Sequence, residues 1–291
     1  MSESSSAVTA CTPRVAVIPV AGRGTRWLPI TRTVPKELLP VYRRTSASYA
    51  FEEAVNAGCE EIIFVISPDK VEVLQHFLRF DSTDLGPEYK NATFSSLHER
   101  VKLTACIQDE PRGLGHAILC AQKDVGNRPF SVLLPDEVLM QNGLQSLNIA
   151  TPAILLMEVP FAQRRNYGIV KATKLTDDTY RIEDMVEKPQ PALAPSSLAI
   201  TGRYTFTPEI FDELSNQQPG LGGEIQLTDA MRRYNKRCPM TGVLYQGTRH
   251  DVGQPLGLLT ASVDFALKDP NVSDALIKRL KNMIDSYEKN K

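Results

Sequence analysis

The sequence has no excess of either charge, with 33 lysines and arginines against 34 acids. It therefore offers no global field to hold a polyanion or an acidic bilayer, which argues against nucleic acid and membrane partners. It also lacks a long apolar run: stretches such as 62–66 and 154–157 fall far short of the roughly 20 residues that span a bilayer. Cysteine is scarce and unpaired in pattern. Cys11, Cys59, Cys106, Cys120 and Cys238 are odd in number, scattered, and never at C-x-x-C spacing, so neither a disulfide frame nor a zinc site is indicated. The histidines, His76, His98, His116 and His250, never stand at metal-ligand spacing, which sets imidazole–metal chemistry aside. The polar, serine-rich start lacks the apolar core of a signal peptide. It reads as a disordered leader over 1–13 of a cytoplasmic protein.

What is present is a patterned core, with 42% of 291 residues apolar. Residues 14–20 form a β-branched run ending at Pro and Gly, the mark of a buried parallel strand. A helix over 45–57 and a strand over 61–66 complete a βαβ unit. A helix near 69–80, a strand near 103–108, a helix near 115–125 and a strand over 131–135 continue the alternation. The pattern predicts one α/β, Rossmann-like, doubly wound mixed sheet. More closely spaced strands over 153–159, 168–171, 200–206 and 242–245, with helices near 208–214 and 227–234, predict α+β elaborations on the substrate side. The end is helical over about 256–288, broken at Asp269-Pro270. With no internal repeat or long linker, residues 14–291 read as one domain.

The loop after the first strand, residues 21–40, is too long to be only a turn. It lacks the third glycine of a dinucleotide fingerprint and the Gly-Lys-Ser/Thr of a P-loop. Two glycines remain, which let backbone N–H groups approach an anion, with Arg23, Arg26, Arg32 and Lys36 supplying charge at a strand's carboxyl end. Such a loop suits a nucleoside triphosphate. Asp136 directly follows the apolar strand ending near Leu134, where open α/β sheets bind ligands, and is a candidate metal ligand. Glu137 should point elsewhere if the strand continues. Gln108 ends a strand, and its amide offers both a donor and an acceptor to a pyrimidine imide edge.

The run Pro19-Val-Ala-Gly-Arg-Gly-Thr-Arg26 followed by Pro35-Lys-Glu-Leu-Leu-Pro40 closely resembles the signature of the sugar-phosphate nucleotidylyltransferases. Further stretches follow in the family's order: Gln108-Asp-Glu-Pro-Arg-Gly-Leu-Gly-His-Ala117, Leu134-Pro-Asp136, Glu187-Lys-Pro189 and Asp251-Val-Gly253. Gly202-Arg-Tyr204 with Thr207-Pro-Glu-Ile-Phe211, and Gly223-Glu-Ile-Gln-Leu-Thr-Asp-Ala230, resemble the bacterial UTP:glucose-1-phosphate uridylyltransferase branch. The resemblance runs from about residue 14 to 266. It implies a fold of the nucleotide-diphospho-sugar transferase type, with a nucleotide half over about 14–140 and a sugar-phosphate half over about 150–255.

The resemblance also implies a reaction: a sugar-phosphate oxygen attacks the α-phosphorus of UTP in line, giving UDP-glucose and pyrophosphate. Gly22, Gly24 and Thr25 would wrap the triphosphate, while Arg26 and Lys36 hold the departing phosphates. Gln108 and the backbone at Ala21, Gly22 and Gly113 would take the base. Glu187 would accept glucose hydroxyls, Lys188 would neutralise the sugar phosphate, and Gly168 would let backbone meet the sugar ring. Asp136 with Asp251 would hold Mg²⁺. Arg26, Lys36, Asp136 and Lys188 are thus the expected catalytic side chains, and a homo-oligomer, dimer or tetramer, is expected.

Residues 42–49, Tyr-Arg-Arg-Thr-Ser-Ala-Ser-Tyr, depart from the family pattern, which carries an acid and a helix-opening proline there. Thr45 or Ser46 can cap the same helix instead. The added Arg43 and Arg44 motivate an alternative in which the same chemistry uses dTTP or another sugar 1-phosphate. A third reading is a non-catalytic regulatory paralogue that binds UDP-sugar.

Overall fold

The computed structural model describes residues 12–78, 100–149 and 151–291. Strand β1 (Val15–Pro19) is buried because its alternating side chains enter two cores: Val15 and Val17 face one side, Ala16 and Ile18 the other. A short hairpin, β2 (Pro40–Val41) and β3 (Arg44–Thr45), leads into helix α1 (Ser46–Asn56). Thr45 caps that helix, its Oγ1 accepting the Ser48 N–H at 3.2 Å, so the threonine replaces a proline start as the sequence suggested. Then come β4 (Glu61–Ile66), α2 (Val71–Leu78), β5 (Lys102–Ile107), α3 (Leu114–Cys120), α4 (Gln122–Val125) and β6 (Phe130–Leu133). The single helix expected over 115–125 is two, because Ala121 at ψ −3° leaves the helical path. Residues 79 and 80 of the expected second helix lie outside the described residues.

The second half adds β7 (Glu137–Leu139), α5 (Gly143–Ser146), β8 (Ala153–Glu158), β9 (Gly168–Lys174), β10 (Thr179–Glu187), β11 (Leu198–Phe206), α6 (Ile210–Ser215) and α7 (Leu227–Tyr234). It ends with β12 (Thr241–Leu244), β13 (Arg249–Asp251), α8 (Pro255–Leu267) and α9 (Ser273–Lys289). Among the described residues a nine-stranded sheet runs β5-β4-β1-β6-β11-β8-β12-β10-β9. From β5 to β6 all pairings are parallel, and β11 enters antiparallel to β6. The result is the doubly wound mixed sheet with α+β additions. Because β4 and β6 flank β1, strand order reverses there, and a crevice opens at the carboxyl ends.

The two faces carry separate cores. Phe51, Phe64 and Phe77 pack beneath α1 and α2, while Phe130, Phe206 and Phe211 pack beneath α6 and α7. Thr12 and Pro13, expected in the leader, are buried, and the Cys59 thiol donates to the Pro13 carbonyl at 3.3 Å. The rest of that leader lies outside the described residues. No helix among the described residues is long and apolar enough to cross a membrane.

Candidate active site

A cavity of about 480 Å³ opens at the carboxyl end of β1. Its wall gathers Ala21, Gly22, Gly24, Thr25, Gln108 and Gly113, the residues expected on the base and in the triphosphate loop, together with Lys36 and Asp136. Two glycines are dictated by the backbone. Gly24 sits at φ +65°, where a Cβ would meet Thr31 Cγ2 at 3.0 Å and Lys36 Cβ at 3.2 Å; Gly113 sits at φ +100°, 2.8 Å from Glu224 Cβ. Gln108 is buried, and its Nε2 donates to the Gly113 carbonyl at 3.2 Å and meets His116 Nδ1 at 3.0 Å. The carbonyl fixes which end of the amide is nitrogen. Burial holds His116 below its ordinary pKa, so the ring is neutral and can accept. The amide donor is therefore engaged within the protein, and Oε1 is the end presented to a ligand.

Beneath the loop lies a row of alternating charges. Lys36 Nζ is 2.8 Å from Asp136 Oδ2 and 3.9 Å from Glu37 Oε1, and Lys70 Nζ is 2.8 Å from Glu37 Oε2. Burial alone would neutralise both members of the Lys36–Asp136 pair. Their mutual attraction outweighs it, raising the ammonium above its usual value and holding the carboxyl below. Arg26 is exposed and does not line the cavity, yet its charge reaches both Lys36 and Asp136. Glu37 itself is pushed up by burial in spite of its two lysines.

Asp251 approaches from β13, which pairs antiparallel with β7, setting Asp251 opposite Glu137. A Cβ on Gly253 would lie 3.0 Å from Asp251 Oδ1 and 3.4 Å from Asp136 Oδ2, so the two carboxylates converge where this glycine has no side chain. Hard oxygen donors with room beside them fit a small divalent cation. Glu137 does point elsewhere: Arg249 Nη2 donates to its Oε1 at 2.5 Å, and Arg249 Nη1 donates to the Tyr167 hydroxyl at 3.0 Å. Burial raises the Glu137 carboxyl to about 7 against the pull of Arg249.

The residues expected on the sugar phosphate form a second cluster at the end of β10. Glu187 Oε1 pairs with Lys188 Nζ at 3.1 Å, and its Oε2 accepts the Thr228 hydroxyl at 2.6 Å. A Cβ on Gly168 would lie 3.3 Å from that same Oε2. Lys188 adopts φ +42°, a left-handed conformation uncommon for a side-chain-bearing residue. Burial, together with the charges of Glu187, Glu137 and Asp136, pushes the pKa of the Tyr204 phenol up.

The turn bearing Asp136 is clamped from behind. Arg203, with no exposure, donates to the carbonyls of Leu134 at 2.9 Å and Glu137 at 2.7 Å, on either side of Asp136, while Glu53 takes its Nε and Nη2 at 3.0 and 2.7 Å. Arg43 and Arg44, by contrast, do not line the cavity. Arg43 reaches Asp269 at 3.4 Å and Arg44 pairs with Glu52, so the altered segment faces the C-terminal helices and α1 instead of the pocket. Its charge gives no support to an altered nucleotide preference.

The sequence from residue 15 to 267 matches the nucleotidyl transferase family model. The UTP–glucose-1-phosphate uridylyltransferase of Bacillus subtilis is 39% identical over 289 residues, covering 94% of this chain and 98% of that protein. The chain belongs to the nucleotidyl transferase family. A UDP-glucose pyrophosphorylase solved with UDP-glucose superposes with a TM-score of 0.82 at 35% identity, covering 88% of this chain and 100% of that one. The UTP-bound enzyme from Acinetobacter baumannii superposes with a TM-score of 0.79 at 32% identity, covering 92% and 98%. Within this nucleotidyl transferase fold, sequence reasoning missed Glu37, Lys70, Thr228 and the Arg203–Glu53 clamp. Glu37, Arg203 and Thr228 stand inside quoted motifs, which was the available signal. Lys70 and Glu53 had none.

Proposed function

We propose that the chain transfers UMP from UTP to glucose 1-phosphate, giving UDP-glucose and pyrophosphate. A phosphate oxygen of glucose 1-phosphate forms a bond to the α-phosphorus as the bond from that phosphorus to the oxygen bridging to the β-phosphate breaks, and pyrophosphate leaves from the opposite side. The nucleophile is already an anion, so no general base is needed. The protein's work is to bring two polyanions together and offset charge at phosphorus.

The observation that carries this reading is that Lys36 and Asp136 stand in the wall of the nucleotide cavity, while the Glu187–Lys188 pair lies outside that wall yet near enough that the buried Tyr204 phenol feels the charges of both Glu187 and Asp136. In it, the loop over 22–25 wraps the triphosphate, and Arg26 and Lys36 hold the departing phosphates. Gln108 Oε1 accepts the imide N–H of uracil, beside the backbone of Ala21, Gly22 and Gly113. Glu187 accepts glucose hydroxyls where Gly168 leaves space, and Lys188 neutralises the sugar phosphate. Asp136 and Asp251 would hold Mg²⁺, which when bound offsets charge on the phosphate oxygens. The same reading treats residues 14–291 as one nucleotidylyltransferase domain, acting as a homo-oligomer in the cytoplasm.

The test is pyrophosphate release by purified protein with Mg²⁺, comparing UTP with dTTP, each with glucose 1-phosphate, against EDTA and no-sugar controls. Release that needs both metal and sugar, and is strongest with UTP, is expected. A dTTP preference would move the assignment to a thymidylyl donor. Failure with both, in a protein that still binds UDP-glucose, would leave a regulatory paralogue.

A further inference from the structure

Lys70 precedes α2, in the turn after β4, and is 7% exposed. A lysine so buried is rare unless its ammonium is fully bonded. Here Nζ meets three acceptors: the Val20 carbonyl at 3.0 Å, the Gly22 carbonyl, and Glu37 Oε2 at 2.8 Å. All its N–H bonds are thereby used. Lys70 does not line the nucleotide cavity, whereas Ala21, Gly22 and Arg23 do.

The planar trans peptide turns this into a statement about the far side of the loop. In each peptide unit C=O and N–H point in opposite directions. With the carbonyls of Val20 and Gly22 drawn down to Lys70, the N–H groups of Ala21 and Arg23 are aimed away from it, and both residues line the nucleotide cavity as well as a second cavity that Lys70 borders. Among the described residues neither N–H donates to a backbone carbonyl. The same pull turns two carbonyl dipoles away from a site meant for a polyanion. Glu37 completes the arrangement, because Lys70 holds one carboxylate oxygen while Lys36 approaches the other.

We propose that Lys70 is a positioning residue for the nucleotide, presetting the Ala21 and Arg23 amides as donors without itself touching the ligand. This rests on the reading that the cavity takes UTP.

The experiment compares the parent, Glu37→Gln, and the paired variant Lys70→Met with Glu37→Gln, which strands no buried carboxylate. UTP affinity is measured by calorimetry, Michaelis constants for both substrates by pyrophosphate release, and amide resonances by nitrogen–proton correlation spectra. Losing two preset donors should weaken UTP binding about 10- to 100-fold relative to Glu37→Gln. The KM for UTP should rise while that for glucose 1-phosphate stays within about twofold. Ala21 and Arg23 resonances should shift on UTP addition in the parent and not in the paired variant. A purely architectural lysine would lower the melting temperature and leave UTP affinity equal to that of Glu37→Gln, which would overturn the assignment. Should the paired variant not fold, Lys70→Arg decides: unaltered UTP affinity in a variant whose Ala21 and Arg23 amide resonances have moved without UTP would defeat the proposal. A parent protein that neither binds UTP nor releases pyrophosphate would instead defeat the uridylyltransferase reading.

Discussion

Lys36 Nζ lies 2.8 Å from Asp136 Oδ2 across 100 residues of sequence, joining the cation proposed for the departing phosphates to the carboxylate proposed for the metal. Each keeps the other charged in a half-buried site. Asp136→Asn preserves volume while removing both the anionic ligand proposed for the metal and the partner of Lys36. Turnover should fall by at least roughly 100-fold, with the melting temperature nearly unchanged. Raising Mg²⁺ should restore little of it. Near-parental turnover at ordinary Mg²⁺ would remove Asp136 from the metal site.

A second prediction separates the two halves of the pocket. Among the described residues the Lys188 side chain pairs with Glu187 at 3.1 Å, and it sits outside the nucleotide cavity. Losing the charge-assisted bond proposed between Lys188 and the sugar phosphate should raise the KM for glucose 1-phosphate about 10- to 100-fold in Lys188→Ala, with the KM for UTP little affected. Steady-state titration of each substrate at saturation of the other reads this out. If both constants rise together, the acceptor phosphate binds elsewhere.

The elements that could be read from sequence were those whose burial imposes a pattern. The continuous apolar runs of β1 and β4 are visible because both faces of the sheet are covered there. β10 is marked in the sequence only by the Glu187-Lys-Pro189 motif at its end, since a bulge between Ile182 and Asp184 breaks the alternation. β7 and β13, at three residues each, are too short to carry a period, yet their pairing is what brings Asp251 toward Asp136. Side chains at the site followed a similar division. Gly22, Lys36, Gln108 and Glu187 stood in motifs with chemical meaning. Lys70 and Glu53 look like surface charges in a sequence, and only the tertiary fold buries them against Glu37 and Arg203.

In the proposed reading, base selectivity follows from the orientation of Gln108. With Nε2 committed to Gly113 and His116, the free Oε1 can accept from an imide N–H but repels the bare ring nitrogen that cytosine presents at that edge. CTP should therefore give a kcat/KM about 10- to 100-fold or more below that of UTP, because its mismatch leaves a buried acceptor unpaired. Gln108→Leu should narrow the gap by weakening UTP. Equal use of CTP and UTP by the parent protein would show that Gln108 does not read the base.

Stability should carry a pH signature from Glu52, which lies on α1 away from the cavity and is 8% exposed. Burial lifts its carboxyl from 4.5 to about 6 although Arg44 pulls it down. Between those values the folded chain retains a proton that the unfolded chain has released, so stability falls as pH rises through the window. A gap of that size corresponds to about 2 kcal/mol. Glu52→Gln cannot titrate, and loss of its pairing with Arg44 adds an offset that varies little across the window. The variant should thus gain about 2 kcal/mol on the parent between about pH 4 and pH 7, as measured by urea unfolding at each pH. A stability difference that stays flat across this range would mean that Arg44 fully offsets the burial of Glu52 and leaves its carboxyl at the unfolded value.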